Sequence, residues 1–257
     1  MEHEKEFYFL IKKYIKPEIQ KIFQKNISQK FYRKADQSLV GEIDLHLSDI
    51  IQEIFLRSSF KDCTYICEEK KIEQKNLLNA IIVDPIDGTR QLSRNIPEFV
   101  TSIAYSKEAL GWLFNPITGF EISTQHNFKM LEKRKSFFTG LVSVSEWERG
   151  FFKSFHHPEI RLIPVGSIAF KLGLFAAGGA DFVLSLNPKN IWDIAGATFI
   201  LKKRGATFFS SGIRTTKMSK LLWSPPLLWS HLPEELENFI LNYFALGQIS
   251  LKGQIRH

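Results

Sequence analysis

The segment Asp84-Pro85-Ile86-Asp87-Gly88-Thr89 brings two carboxylates, a backbone carbonyl, a glycine and a hydroxyl into six residues. Hard divalent cations such as Mg²⁺ take oxygen ligands, commonly one or two carboxylates, with waters and substrate phosphate oxygens completing the shell. Pro85 fixes its own φ where the apolar run Ala80-Ile81-Ile82-Val83 ends, so Asp84 and Asp87 can turn toward one point with the Ile86 carbonyl between them. Gly88 permits a tight backbone, and Thr89 can open a helix whose free N–H groups face an anion. The same Asp-Pro-x-Asp-Gly string is also good surface-turn chemistry, since each of those residue types favours turns for its own reason.

Acids recur at other element ends. Glu68-Glu69 follows the strand-like run Tyr65-Ile66-Cys67, and Asp193 stands at the start of a later helix. Taken singly, Glu68-Glu69 before Lys70-Lys71 also reads as a solvated charged turn, and Asp193 as a helix N-cap.

The elements that must position these residues follow from hydrophobic period. An amphipathic helix is expected over residues 4–28, with Phe7, Leu10, Ile11, Ile15, Ile19, Ile22 and Phe23 on one stripe and an interruption at Pro17. A second helix covers 44–56. Strands are expected over 65–67, 80–83, 100–105, 110–114 and 120–123, with Asn115-Pro116 and Thr118-Gly119 supplying hairpin chemistry. From residue 137 strand and helix alternate: strands at 138–144, 161–165, 181–184 and 207–209, helices at 146–155, 167–177, 193–203 and 233–243. That is α/β order. The polar stretch 126–135 separates the two styles. It divides the chain into an N-terminal α+β domain over 1–135, with most metal ligands, and a C-terminal α/β domain over 136–257, with Asp193 and the substrate-facing segments.

Bulk properties narrow the class. A chain of 257 residues can bury a substantial core, and 44% apolar with 24% charged residues is ordinary for a globular protein. No run approaches the roughly 18 apolar residues of a membrane span, and the start, Met1 to Glu6, is mixed in charge, so a cytoplasmic protein is expected. Cys63 and Cys67 lack a second cysteine pair, which argues against zinc or a disulfide framework and for buried free thiols. Lys and Arg total 34 against 27 acids, a net +7 that would suit an anionic partner. The basic residues are scattered, however, and Lys202-Lys203-Arg204 falls where a helix should end and complements its dipole. Nucleic-acid binding is not expected, for want of a recognised motif.

Three blocks together resemble the inositol monophosphatase family of lithium-sensitive, Mg²⁺-dependent phosphatases: Cys67-Glu68-Glu69, Ile82-Val83-Asp84-Pro85-Ile86-Asp87-Gly88-Thr89 and Ile191-Trp192-Asp193-Ile194-Ala195-Gly196-Ala197. A weaker early block over 34–44 resembles the family's lysine, hairpin and helix-opening aspartate. Val165-Gly166-Ser167-Ile168-Ala169 resembles its substrate segment. The resemblance implies a sugar-phosphatase-like, layered α-β-α-β-α sandwich, commonly dimeric, with the site between the two halves. It implies one Mg²⁺ on Glu68, Asp84 and the Ile86 carbonyl, a second on Asp84, Asp87 and Asp193, and a weaker third drawing on Glu68; Mn²⁺ can substitute. Asp44 and Thr89 would orient and deprotonate the attacking water, with Glu69 nearby as a further base. Gly88 and Thr89 would meet the phosphate, and Gly166, Ser167 and Asp193 the rest of the substrate. Lys34 would steady a water or be an exposed hairpin lysine, and Asp36 reads as a turn residue.

The chain departs from that family at informative places. Cys67 stands where Gly is usual, Gln91-Leu92 follows the Asp-Gly-Thr core, and Lys203-Arg204-Gly205-Ala206 follows the last helix. Leu184-Ser185-Leu186-Asn187 contains no acid where the family has its inositol-hydroxyl-binding glutamate. The expected substrate is therefore a small phosphate ester, with inositol phosphate, fructose 1,6-bisphosphate and 3′-phosphoadenosine 5′-phosphate all open. Arg90 and Lys189 suit a second phosphate or are solvated charges. A homodimer is expected. The alternative of another class is a regulatory binding protein that uses the basic surface.

Overall fold

Side-chain alternation along the strands decides the layering of the computed structural model, which describes residues 2–24, 30–34, 39–70, 76–126 and 137–251. The chain opens with α1 (Glu2–Leu10), a π-helical turn (Ile11–Ile15) and α2 (Lys16–Gln24), then a hairpin of β1 (Phe31–Arg33) and β2 (Leu39–Gly41), and α3 (Glu42–Leu56). Next come β3 (Thr64–Cys67), β4 (Ala80–Asp87), the single turn α4 (Thr89–Leu92), β5 (Val100–Tyr105), β6 (Leu110–Phe114) and β7 (Glu121–Ser123). The second half supplies β8 (Phe138–Ser143), α5 (Val144–Glu148), β9 (Ile160–Val165), α6 (Ile168–Ala176), β10 (Phe182–Ser185), β11 (Lys189–Asn190) and α7 (Ile191–Lys203). It ends with β12 (Thr207–Ser210), β13 (Ile213–Arg214), β14 (Leu222–Trp223), β15 (Leu227–Ser230) and α8 (Glu234–Leu251).

One sheet has the order β3-β4-β5-β6-β7, with β3 and β4 parallel and the remaining pairs antiparallel. Its Ile81, Val83, Ile103, Tyr105, Trp112 and Phe114 pack against α1, α2 and α3. The neighbours in each strand, such as Ile82, Ala104 and Leu113, point the other way, onto α6 and α7. A second sheet, ordered β13-β12-β15-β10-β8-β9, covers the far side of those two helices with Leu141, Val183, Phe208 and Trp229. Its opposite face, including Val142, Phe182, Leu184 and Leu228, meets Ile240, Leu241 and Phe244 of α8. The result is the expected α-β-α-β-α sandwich.

The structure corrects several element assignments. The N-terminal helix is not broken at Pro17. The π-helical turn just before it, where the Lys16 N–H reaches the Ile11 carbonyl, lets the helix run on past a residue that has no N–H to donate. The helix expected over 146–155 stops at Glu148. Gly150 takes φ +77°, and the Gly150 and Phe151 N–H groups return to the Trp147 and Glu146 carbonyls, a glycine C-terminal cap. The phenylalanines that suggested a longer helix, Phe152 and Phe155, enter the outer core from turns. Strand β15 was not anticipated, although it lies between β12 and β10 in the second sheet. Cys67 is buried as expected, whereas Cys63 is half-exposed. In the basic run at the end of α7, Lys202 bonds the Thr216 carbonyl, and Arg204 bonds those of Ala176 and His126, so both serve intramolecular contacts. The stretch 126–135, read as a boundary, lies after its first residue outside the described residues.

Helix α7 sits unusually deep. A Cβ on Gly111 of β6 would stand 2.0 Å from the Gly196 carbonyl oxygen of α7, backbone against backbone. Asp193 lies one turn before that contact, so this approach sets how far it reaches. Gly111→Ala should cost about 3 kcal/mol of stability, because neither backbone can yield to the added methyl. Chemical denaturation checks this, and a loss below about 0.5 kcal/mol would show that the helix can lift away.

Candidate active site

Three separate stretches deliver acids to one place. The end of β3 brings Glu68 and β4, just before its bulge, brings Asp84, while the first turn of α7 brings Asp193; one carboxylate oxygen of each lies within 4.8 Å of the others. Asp84 is 1% exposed, and its Oδ1 has no hydrogen-bond partner. Asp87 follows after a bulge: Asp84 pairs with Ser102 but Asp87 with Val100, so β4 holds one extra residue there. Pro85 fits that position because a bulge demands no ladder N–H, and the Thr101 hydroxyl donates to its carbonyl at 2.8 Å.

These carboxylates crowd one another in a place short of water. Burial pushes Asp84 well above the usual carboxylate range, and Glu68, Asp87, Asp193 and Asp44 push it further. Burial likewise raises Asp193, to about 8, with Asp87 and Glu68 adding to the rise. Glu68 is raised by burial and by Glu69 against the pull of Lys34. Asp87 is raised by burial although the Ser167 hydroxyl and the Ala169 N–H both donate to its Oδ2. A buried oxygen without a partner, within a group of acids each favouring the neutral form, is a donor set that a divalent cation could complete.

Asp44 is 1% exposed and occupies the third position of α3, where its Oδ2 accepts from the Gly41 N–H at 2.8 Å. The Thr89 hydroxyl lies 2.9 Å from Asp44 Oδ1 and 3.1 Å from the Ile86 carbonyl oxygen. Burial raises Asp44 to about 7, opposed by the hydrogen bonds from the Gly41 N–H and the Thr89 hydroxyl. Asp193, read from sequence as an N-cap, is held in the same way: Asn190 is the cap, and its N–H donates to Asp193 Oδ2 at 2.8 Å. Gly88 has φ +107°, and a Cβ there would come within 2.8 Å of Phe99 Cβ and 2.9 Å of the Glu98 carbonyl, so only glycine fits.

Lys34 is not a loose hairpin lysine. Its Nζ lies 3.0 Å from Glu68 Oε1 and 2.7 Å from Glu69 Oε1. Burial works against its charge, but the two glutamates outweigh it and hold the ammonium above its ordinary value. Asp36 lies outside the described residues. Ser167 touches Asp87 directly through its hydroxyl, and beside it the Gly166 N–H donates to Glu98 Oε2 at 2.6 Å. Lys171, which sequence reasoning passed over, is 1% exposed under this turn; its ammonium donates to the carbonyls of Val165, Gly166 and Ser167 at 3.1, 2.7 and 3.1 Å. Burial lowers its pKa to about 7 against support from Asp87. A lone lysine in the apolar helix Ile168–Ala176 was the available signal.

Glu68, Asp84, Ile86, Asp87, Gly88, Thr89, Gly166, Ser167 and Asp193 all line one cavity of about 640 Å³, while Asp44 and Glu69 lie behind that lining. The rim adds Arg33, Arg90, Arg94 and Lys189. A second cavity of about 650 Å³, lined by Trp147, Phe152, Phe155, His156, His157 and neighbours, contains no carboxylate and none of the motif residues.

Residues 3–222 match the profile of the inositol monophosphatase family. The chain is 27% identical over 218 residues to the 3′(2′),5′-bisphosphate nucleotidase CysQ of Haemophilus influenzae, covering 75% of this chain and 79% of that protein. It is 28% identical over 192 residues to a fructose-1,6-bisphosphatase/inositol-1-monophosphatase of Thermotoga maritima, covering 66% and 70%. Among solved structures, a Thermotoga maritima IMPase shares the fold with a TM-score of 0.74 at 20% identity, covering 96% of this chain and 98% of that one. A phosphoric monoester hydrolase acting on a small phosphorylated substrate is the class these findings define. The chain belongs to the inositol monophosphatase family.

The raised carboxylates make a pH prediction for the protein kept in chelator. An aspartate whose folded pKa exceeds its unfolded value of 3.8 is neutral in the fold but charged when unfolded, so stability falls as pH rises toward the folded value. With Asp44 at about 7 and Asp193 at about 8, the melting temperature should fall as pH rises from about 4 to about 7; above that, Lys171, charged when unfolded but lowered to about 7 in the fold, works in the opposite direction. Thermal unfolding at a series of pH values checks this; a rise between about pH 4 and about pH 7 would contradict it.

Proposed function

We propose that the chain is a Mg²⁺-dependent phosphomonoesterase in which an activated water attacks the phosphorus of a small phosphorylated metabolite. The observation that carries the reading is the convergence of Glu68, Asp84 and Asp193, with one buried Asp84 oxygen lacking any partner. Glu68, Asp84 and the Ile86 carbonyl would hold one cation, and Asp84, Asp87 and Asp193 a second; a third would draw on Glu68, and Mn²⁺ would replace Mg²⁺. Cations there supply charge to clamp phosphate oxygens and lower the pKa of water.

The protein's own groups do the rest. Thr89, donating to Asp44 Oδ1, turns its lone pairs outward to orient water, and the Asp44 carboxylate behind it is placed to take up the proton through that hydroxyl. Lys34 fixes the Glu69 carboxylate beside this pair, as a further acceptor. The N–H groups of Gly88 and Thr89 receive phosphate oxygens, and the backbone of Gly166 and Ser167 bounds the leaving-group side. Ser167 keeps its own hydroxyl on Asp87. On this reading the enzyme works in the cytoplasm as a homodimer, and Li⁺ is expected to inhibit it.

A second reading, that the substrate carries two phosphates, is favoured by the rim. Arg33, Arg90, Arg94 and Lys189 line the same cavity as the acids, and Leu184 to Asn187 offer no acid for a polyol. The name of the CysQ relative is bisphosphate-directed, and that of the Thermotoga maritima relative covers a bisphosphate and a monophosphate. The test is phosphate release, with Mg²⁺, from inositol 1-phosphate, fructose 1,6-bisphosphate and 3′-phosphoadenosine 5′-phosphate. Asp84→Asn should lower kcat/KM at least about a hundredfold, and a bisphosphate should exceed the monophosphate about tenfold. No release from any of them with either Mg²⁺ or Mn²⁺ would overturn the catalytic reading, and preference for inositol 1-phosphate the second.

A further inference from the structure

Glu146 holds no metal, water or phosphate in the proposed reaction, yet it is 0% exposed. It lies in the five-residue helix α5, directly after β8, and its neighbours Ser143, Val144, Ser145 and Glu148 line the cavity while Glu146 itself does not. Its carboxylate turns away from the cavity and reaches the turn after β10. There Oε1 lies within hydrogen-bond distance of four donors: the Ser185 hydroxyl at 3.1 Å, the Leu186 N–H at 3.0 Å, the Asn187 N–H at 2.9 Å and Asn187 Nδ2 at 2.8 Å. The Ser185 hydroxyl also has the Asn187 carbonyl at 3.3 Å as an alternative acceptor. Oε2 is buried without a partner. The turn is the one that contains no acid of its own, so the carboxylate that organises it comes from some forty residues earlier in the chain.

The residues just beyond this turn belong to the site. Lys189 lines the cavity, and the Asn190 N–H holds Asp193 Oδ2 at 2.8 Å. Two backbone N–H groups fixed on one carboxylate oxygen leave Leu186 and Asn187 little freedom, and a buried donor that loses its acceptor is costly. The path from Glu146 to both site side chains then runs through only three or four residues, one of them Pro188 with its fixed φ.

We propose that Glu146 is a positioning residue for the leaving-group side of the site: by gripping the Ser185–Asn187 turn from behind, it places Lys189 against the substrate and Asp193 against the metal. In its kinetic consequences this rests on the phosphatase reading; in its structural consequences it does not.

Glu146→Ala should raise KM for the best substrate about tenfold or more and raise the Mg²⁺ concentration for half-maximal thermal stabilisation about fivefold, while kcat at saturation stays within about threefold. Glu146→Gln keeps a carbonyl oxygen for the same donors and should bring KM back to within about threefold of wild type. Amide exchange at Leu186 and Asn187 should be at least about tenfold faster in the alanine variant. A merely structural loss would lower the melting temperature without this split between KM and kcat. An unchanged KM in folded Glu146→Ala, a fall in kcat alone, or a glutamine variant as impaired as the alanine one overturns the proposal. If Glu146→Ala does not fold, the double variant Ser185→Ala/Asn187→Ala removes the two side-chain donors and should raise KM about threefold; no rise overturns it equally. Wild-type protein that releases no phosphate overturns the phosphatase reading alone, because the exchange rates and the Mg²⁺ dependence of melting still judge Glu146.

Discussion

Like charges gathered out of water are the constraint on which this architecture turns. Asp87 raises the pKa of Glu68, Asp84 and Asp193, and Glu68 raises those of Asp84 and Asp193, on top of the rise that burial imposes. Nothing local to any one of them would hold that arrangement. Their backbone supports are a parallel strand pair, a bulged strand end and a helix pressed onto the same sheet, so the repulsion is set against the cohesion of the whole sandwich. Cationic groups stand close enough to ease it, with Lys34 on one flank and Lys171 and Lys189 on the other.

One device recurs at both ends of the site. Asp44 and Asp193 each occupy the third position of a helix and each gives one oxygen to the N–H of the preceding cap residue. The bond removes rotational freedom from the side chain and leaves the second oxygen aimed outward. Asp44 directs it at Thr89. The helix start thus serves as a mounting for a carboxylate rather than as an anion site.

How much of this was legible in the sequence depended on range. Strands Val100–Tyr105 and Leu110–Phe114 were read to the residue because apolar runs bounded by turn residues determine them locally. The layered fold and the motif positions followed from three blocks in order. Strand Leu227–Ser230 escaped because four residues after Pro225-Pro226 carry too little pattern, and its place between β12 and β10 is fixed only by partners distant in sequence. Phe152 and Phe155 mimicked helical spacing across a glycine that the backbone uses to stop. Lys171 left only the trace of a lone lysine in an apolar helix, and Glu146 left none, since a buried polar side chain announces itself only once its partners are known.

The middle helices also impose an order of events on the newly made chain. Strands β3 to β7 are complete well before α6 and α7 exist, yet Ile82, Ala104 and Leu113 depend on those helices for cover. As the polypeptide leaves the ribosome, its first sheet can be sheltered by α1 to α3 on one side only, with the other face open until residues beyond 200 have emerged. A product cut short before α7 would therefore lack Asp193 and also present a sticky apolar surface, the kind of fragment that chaperones hold and proteases clear.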